Sequence, residues 1–152
     1  MSMPIETIIP DDEILTDAGF YWRERKGVKV LVSRGLEDAG FVNGFSTRLG
    51  GVTSIRSAAP ARMDVSVVDG DLNLAGFNED SAENIFENRR RFLGLFDGNY
   101  ELTSVWQVHG DDVKIVASTT DAERTEDRAD AIVSDLPKTL AGVKTADCVP
   151  IL

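Results

Sequence analysis

Apolar and polar positions along the chain predict short strands arranged around one well-marked helix. Phe20 to Arg25 and Val28 to Ser33 are short β-prone runs, and Lys26-Gly27 between them suits a hairpin turn. Arg34 to Ala39 predicts a single helical turn closed by Gly40, and Phe41 to Thr47 a strand that leads into Arg48-Leu49-Gly50-Gly51. Gly50 to Gly70 holds no sustained period and predicts a long loop. Asn78-Glu79-Asp80-Ser81 supplies a capping side chain and acids for a helix start, and the helix runs to about Leu93 and stops at Gly94. Its apolar positions Ala82, Ile85, Phe86, Phe92, Leu93 and Phe96 follow a 3.6-residue period. Arg89, Arg90 and Arg91 interrupt that stripe, and three consecutive positions cannot share one helix face. Beyond the helix, Leu102 to Val108, Val113 to Ser118, Ala131 to Ser134 and Leu140 to Lys144 predict strands; Gly110-Asp111-Asp112 predicts a turn, and Thr119 to Arg128 a polar, acidic loop. The class is α+β with a mixed or antiparallel sheet.

Residues 1–18 form an acidic, proline-containing lead-in, and residues 19–152 the main domain. The 152 residues suit one domain, and a chain of this size buries roughly 68–70% of its unfolded surface without needing a disulfide or structural metal. With 42% hydrophobic and 28% charged residues the composition is that of an ordinary globular protein. A net charge of −10 disfavours nucleic acid and anionic membrane as partners, since both would repel it. No apolar run approaches the ~18–20 residues of a membrane span. The first thirteen residues lack the basic start and apolar stretch of a signal peptide, and the lone cysteine, Cys148, excludes an internal disulfide, so the expected compartment is the cytoplasm. The final apolar run, Cys148 to Leu152, has no polar exit, and the expectation is a chain cut within its domain.

The scarcest residue types carry the candidate chemistry. There is one histidine, His109, and one cysteine, Cys148, too few for a zinc site built from His and Cys alone. In Trp106-Gln107-Val108-His109-Gly110 the imidazole falls at a strand tip where a metal or substrate can reach it, and the glycine lets the chain turn away; a polar edge histidine in a turn is the plainer alternative. In Thr145-Ala146-Asp147-Cys148-Val149-Pro150 the adjacent acid would not lower the thiol pKa, which favours metal coordination over nucleophilic use, with a buried structural cysteine as the alternative. Gly44 to Gly51 places Arg48 before a double glycine, where guanidinium and exposed backbone N–H groups would suit phosphate or carboxylate; an ordinary β-turn accounts for the same residues. The arginines at 89–91 read first as a solvated helix face with one member paired to a carboxylate.

Taken in order, Phe45-Ser-Thr-Arg48-Leu-Gly-Gly-Val52, Asn73-Leu74, Glu87-Asn88-Arg89, Gln107-Val-His109-Gly110, Ala129-Asp130-Ala131 and Ala146-Asp147-Cys148-Val-Pro150 resemble the YfiH-like laccase-domain family. Its members are described as multicopper polyphenol oxidoreductases, purine nucleoside phosphorylases and peptidoglycan-editing factors. The resemblance runs from about residue 20 to the end, and the Gln-x-His-Gly and Ala-Asp-Cys-x-Pro pair is its most specific part. It implies an α+β fold of the α/β/β/α sandwich type and a metal, usually zinc, held by a histidine, a cysteine and a second histidine. By motif, His109 and Cys148 match the first two ligands. The third belongs to a His-Ala-Gly-Trp-Arg-Gly segment C-terminal to the cysteine, which this sequence does not reach. Arg48 matches an arginine near the pocket, a phosphate contact, and Asn73 and Gln107 match pocket-side, substrate-binding positions. Two departures stand out. Ser54 to Asp71 is expanded, and the Gly-Asp that precedes the helix in the family is replaced by Asn78-Glu79-Asp80.

The activity so implied is zinc-dependent purine nucleoside phosphorolysis through Arg48, His109 and Cys148, with adenosine deamination as a second reaction at the same metal. Purine nucleoside and phosphate are the expected partners. A copper-dependent polyphenol oxidase is the alternative, since imidazole and thiolate also bind copper; one cysteine and two histidines make a single site, whereas oxidation of phenols by oxygen normally uses several coppers. An incomplete, non-catalytic binding module, self-associating through exposed apolar surface, is the reading from a different class.

Overall fold

The computed structural model describes residues 12–54, 70–74 and 80–145. Helix α1 (Asp12–Asp17) precedes a hairpin of β1 (Phe20–Arg25) and β2 (Val28–Ser33), whose bounds are those expected from the sequence. Lys26 and Gly27 both adopt positive φ, 53° and 81°, the twist a two-residue antiparallel turn requires. A short α2 (Arg34–Asp38) follows, then β3 (Phe45–Ser46), which pairs antiparallel with β2. The strand expected over 41–47 is thus reduced to two residues. Before it, the side chain of the buried Asn43 replaces the ladder: Oδ1 accepts the Ser33 N–H at 2.8 Å and Nδ2 donates to the Ser33 carbonyl at 3.1 Å.

Helix α3 (Ala82–Leu93) begins at Ser81, whose side chain accepts the Asn84 N–H, and ends at Gly94. Ile85, Asn88 and Phe92 face inward; Phe86, placed on the apolar stripe from the sequence, is exposed. The alternating valines of β2 (28, 30 and 32) pack with Leu72, Phe92, Leu95 and Phe96 to form the core, in which the Phe92 and Phe96 rings meet edge to face at 5.4 Å.

The second half is built from short parallel pairs: β4 (Glu101–Thr103) with β7 (Thr139–Ala141), and β5 (Val113–Val116) with β6 (Ala131–Ser134). The described strands therefore form three small sheets, one antiparallel and two parallel, in a mixed α+β arrangement. The run expected over 102–108 stops at Thr103 because the chain changes partners. Past β4 the Trp106 N–H donates to the Asp127 carbonyl at 2.9 Å, and the Trp106 carbonyl accepts the Ala129 N–H.

The acidic loop expected over 119–128 opens instead with α4 (Thr119–Glu123). Ser118 and Asp121 cap it reciprocally, the serine hydroxyl accepting the Asp121 N–H and donating to the Asp121 carboxylate. On β5–β6 the alternation buries Lys114 and Val116 and leaves Val113, Ile115 and Val133 exposed. The Lys114 ammonium reaches the Arg124 carbonyl and lies 3.4 Å from Asp127, holding the strand to the turn beyond α4. Among the described residues no helix is long and apolar enough to cross a membrane.

Ile85 is fully buried at the centre of α3. Ile85→Ala is expected to cost about 2–5 kcal/mol of unfolding free energy, read as a lowered urea midpoint with an unchanged m-value.

Candidate metal and anion site

The described sequence-predicted site residues fall into two groups, each held by polar side chains that serve irregular backbone. Arg48 and Asn73 belong to the first. The chain after β3 runs antiparallel to residues 70–72: the Gly51 N–H donates to the Gly70 carbonyl, the Thr53 and Asp71 backbones exchange hydrogen bonds, and the Leu72 N–H donates to the Arg48 carbonyl at 2.7 Å. The double glycine is a packing necessity here. A Cβ at Gly51 would stand 2.0 Å from the Asp71 carbonyl oxygen, and one at Gly50, where φ is +86°, would stand 2.4 Å from that of Gly27. The expected exposed backbone cradle is therefore corrected: both glycines are buried, and the Gly51 N–H is spent within the fold.

Helix α3 grips this loop. Asn88, fully buried, accepts the Val52 N–H at 2.8 Å and donates to Thr53 Oγ1 at 2.9 Å and to the Asn73 carbonyl at 3.0 Å. Thr53 Oγ1 in turn donates to Asp80, and this bond, with that from Asn84, holds the Asp80 carboxyl below its usual range. Arg91 donates to the carbonyls of Gly50 and Gly51 and pairs with Glu87, which also takes a two-bond contact from Arg90. The bonds from Arg90 first, and Arg91 second, lower the Glu87 pKa to about 2. So two of the three consecutive arginines share one carboxylate, and one of those two reaches the loop. The Arg48 side chain itself is 78% exposed, with its Nε 3.1 Å from the Asp71 carboxylate.

Gln107 and His109 belong to the second group. Residues 104–110 run between 127–130 on one side and 142–144 on the other. Gly142 donates its N–H to the Thr103 carbonyl, and Gln107 Oε1 accepts the Lys144 N–H at 2.9 Å, which carries the partnership with the β7 segment past the end of the ladder. His109 is exposed and adopts φ +57°, the left-handed conformation, so the sharp turn is made at the histidine itself and not by the following glycine. The Asp130 carboxylate receives three successive N–H groups of this turn, from Val108 at 3.0 Å, His109 at 2.9 Å and Gly110 at 2.7 Å. These bonds, Gly110's foremost, depress the Asp130 pKa against the opposing effect of desolvation.

Cys148, with Asp147 and Pro150, lies outside the described residues, as do residues 78–79 at the expected helix start and most of the expected loop, 55–69. Among the described residues no three His, Cys, Asp or Glu side chains converge as a metal cluster. Asn88, Arg91 and Asp130 carry the local architecture, and the sequence assigned them no part in it. One signal was available for Asn88: a polar residue at the buried spacing between Ile85 and Phe92 has to find hydrogen-bond partners.

A family model described as multi-copper polyphenol oxidoreductase laccase matches residues 42–152, and the chain belongs to this family. Similar curated proteins are the purine nucleoside phosphorylase YfiH of Escherichia coli K12, 35% identical over 126 residues, and that of Shigella flexneri, 38% identical over 109. A third is the purine nucleoside phosphorylase ORF3 of Streptomyces griseus, 36% identical over 113 residues. These alignments cover 82%, 70% and 71% of this chain but 45%, 38% and 39% of the respective relatives, so the chain spans less than half their length. No solved structure matches the chain significantly.

Asn88→Ala removes three hydrogen bonds and leaves buried main-chain groups without partners, an expected loss of about 2 kcal/mol or more by urea unfolding. Glu87 has a second measurable consequence. Its pKa falls from 4.5 to about 2 on folding, so its contribution is complete above pH 4.5 and is lost as the pH drops through 2. The stability gap between wild type and Glu87→Gln should be constant above pH 5 and narrow from 4.5 downward, as followed by urea melts across that range.

Proposed function

We propose that the protein carrying this chain is a zinc-dependent purine nucleoside phosphorylase whose metal is held in part by His109 and Cys148. The observation that carries this reading is the junction at Gln107, where the Lys144 N–H is bonded at 2.9 Å beside the histidine turn. Cys148 follows Lys144 by four residues in the sequence, and four residues span at most about 14 Å. One exposed imidazole and one thiolate are donors that suit zinc. When bound, zinc supplies a Lewis acid that polarises a substrate oxygen or nitrogen. The relatives named as purine nucleoside phosphorylases support the substrate pair of nucleoside and phosphate.

In this reading Arg48 binds the attacking phosphate. Asp71 occupies its Nε, and the rest of the exposed guanidinium offers N–H groups to an anion. Asn88 and Arg91 keep that loop in place through Val52, Thr53, Gly50 and Gly51. Gln107 commits its oxygen to Lys144, which leaves the amide NH2 as the group it presents to substrate, and Asn73 lies on the segment that Asn88 anchors. Adenosine deamination at the same metal, a domain over residues 19–152, the four-layer sandwich and a cytoplasmic location belong to the same proposal. The exposed apolar face of Val113, Ile115 and Val133 supports the sandwich, being the kind of surface that a further layer covers. Copper-dependent phenol oxidation rests on the family's description alone.

The test is base release from inosine and adenosine with and without phosphate, using protein loaded with zinc or with copper. Phosphate-dependent release of base and sugar 1-phosphate by the zinc form is expected, with Arg48→Ala raising the KM for phosphate at least tenfold. Release indifferent to phosphate, or phenol oxidation that tracks copper loading, would overturn the assignment. Elemental mass spectrometry should find near-stoichiometric zinc that is lost in Cys148→Ser.

A further inference from the structure

The turn that presents His109 is an anion-binding concavity already filled by the protein. Three consecutive N–H groups, from Val108, His109 and Gly110, converge on one carboxylate, that of Asp130. Successive main-chain N–H groups aimed at one point form a nest with a net positive field, and an internal carboxylate both satisfies and fixes it. The same residue also closes the other end of the turn, because the Asp130 N–H donates to the Asp112 carbonyl at 3.0 Å, joined by the Ala131 N–H at 3.3 Å. Residue 130 therefore spans the chain from 108 to 112. Within that span His109 takes φ +57°, a conformation a side chain other than glycine adopts only at some cost. A Cβ at Gly110 would lie 3.4 Å from Asp130 Oδ2, in ordinary contact, so crowding there does not dictate the turn. The carboxylate meets the turn at all three of its amides while His109 stands in the left-handed conformation.

We propose that Asp130 is a positioning residue that locks the His109 turn and so presets the imidazole for metal ligation. The proposal rests on the reading of His109 as a ligand. Without the lock the backbone at 108–110 would relax toward negative φ at residue 109, swinging the Cα–Cβ bond and the ring with it. The organising energy would then have to be drawn from metal binding itself, and the affinity would fall.

The experiment measures zinc affinity by competition with a chromophoric chelator for wild type, Asp130→Asn, Asp130→Glu, Asp111→Asn, Ile85→Ala and His109→Gln. Asn keeps one acceptor oxygen but turns an N–H donor toward the nest, and Glu keeps the charge but displaces it. Both are expected to weaken zinc binding 10–100-fold, the usual consequence of losing a residue that orients a ligand. Asp111→Asn removes the same charge two residues from His109 without touching the nest, and should change affinity less than twofold. Ile85→Ala destabilises the fold at a distance, and its unchanged affinity would separate positioning from general loss of stability. In the metal-free proteins, hydrogen exchange at the 108–110 amides should accelerate in both Asp130 variants and stay unchanged in Asp111→Asn.

Affinity unchanged in Asp130→Asn and Asp130→Glu, while His109→Gln abolishes binding, would overturn the positioning role and leave the ligand assignment standing. Affinity lost equally in Asp111→Asn would replace positioning by simple charge attraction. Zinc binding unaffected by His109→Gln would remove the ligand assignment and this proposal together.

Discussion

Main-chain N–H and C=O groups taken out of water must be paired, and the described residues have few ladders with which to pair them. The described strands are two to six residues long, in three separate small sheets, and the described segments that carry the candidate chemistry lie between them. Side chains do the work that a broader sheet would have done. Asn88 serves Val52, Thr53 and Asn73; Arg91 serves Gly50 and Gly51; Asp130 serves Val108, His109 and Gly110; Gln107 serves Lys144. Each is an amide, a guanidinium or a carboxylate, groups with enough donors or acceptors to satisfy several backbone atoms at once. The outcome is irregular backbone whose polar groups are paired by side chains instead of by a ladder.

Two different electrostatic solutions are used. In the helix-gripped loop, positive groups face carbonyl oxygens: Arg91 reaches Gly50 and Gly51, and Glu87 pairs with both Arg91 and Arg90. In the histidine turn the polarity is reversed, and a carboxylate faces N–H groups. A protein of net charge −10 thus keeps an exposed guanidinium at Arg48 on the first loop and an acidic residue behind the imidazole of the second. The first arrangement leaves an exposed guanidinium beside the loop, and in the second the carboxylate is committed to main-chain N–H groups.

Membership of the laccase-domain family was legible from six short motifs, and the geometry explains why several of them travel together. Glu87-Asn88-Arg89 and Arg48 to Val52 are far apart in sequence, yet Asn88 bonds Val52 at 2.8 Å. Gln107 to Gly110 and Ala129 to Ala131 are likewise one unit, joined by Asp130. A motif without chemistry of its own is here the holder of one that has it.

Local periodicity determined the hairpin of β1 and β2, because alternating valines on one side and a Lys-Gly turn need nothing from the rest of the chain. It also determined α3 and its end at Gly94, since apolar spacing is a short-range property; the cap itself is Ser81, the last residue of the stretch expected to start the helix. The identity of His109, Cys148, Arg48, Asn73 and Gln107 as candidates came from scarcity and motif, both of which a sequence displays directly. What the tertiary structure alone decided were the partnerships. The strands expected over 41–47 and 102–108 shrank because Asn43 and the 127–130 segment offered their backbones other partners, at separations no local pattern can encode. The exposed cradle expected at Gly50-Gly51 turned out to be closely packed main chain, and the bend expected at Gly110 is made at His109. Hydrogen-bond partners 15 to 36 residues away carry no periodicity, so the roles of Asn88 and Asp130 emerge only once the fold has brought those partners within 3 Å.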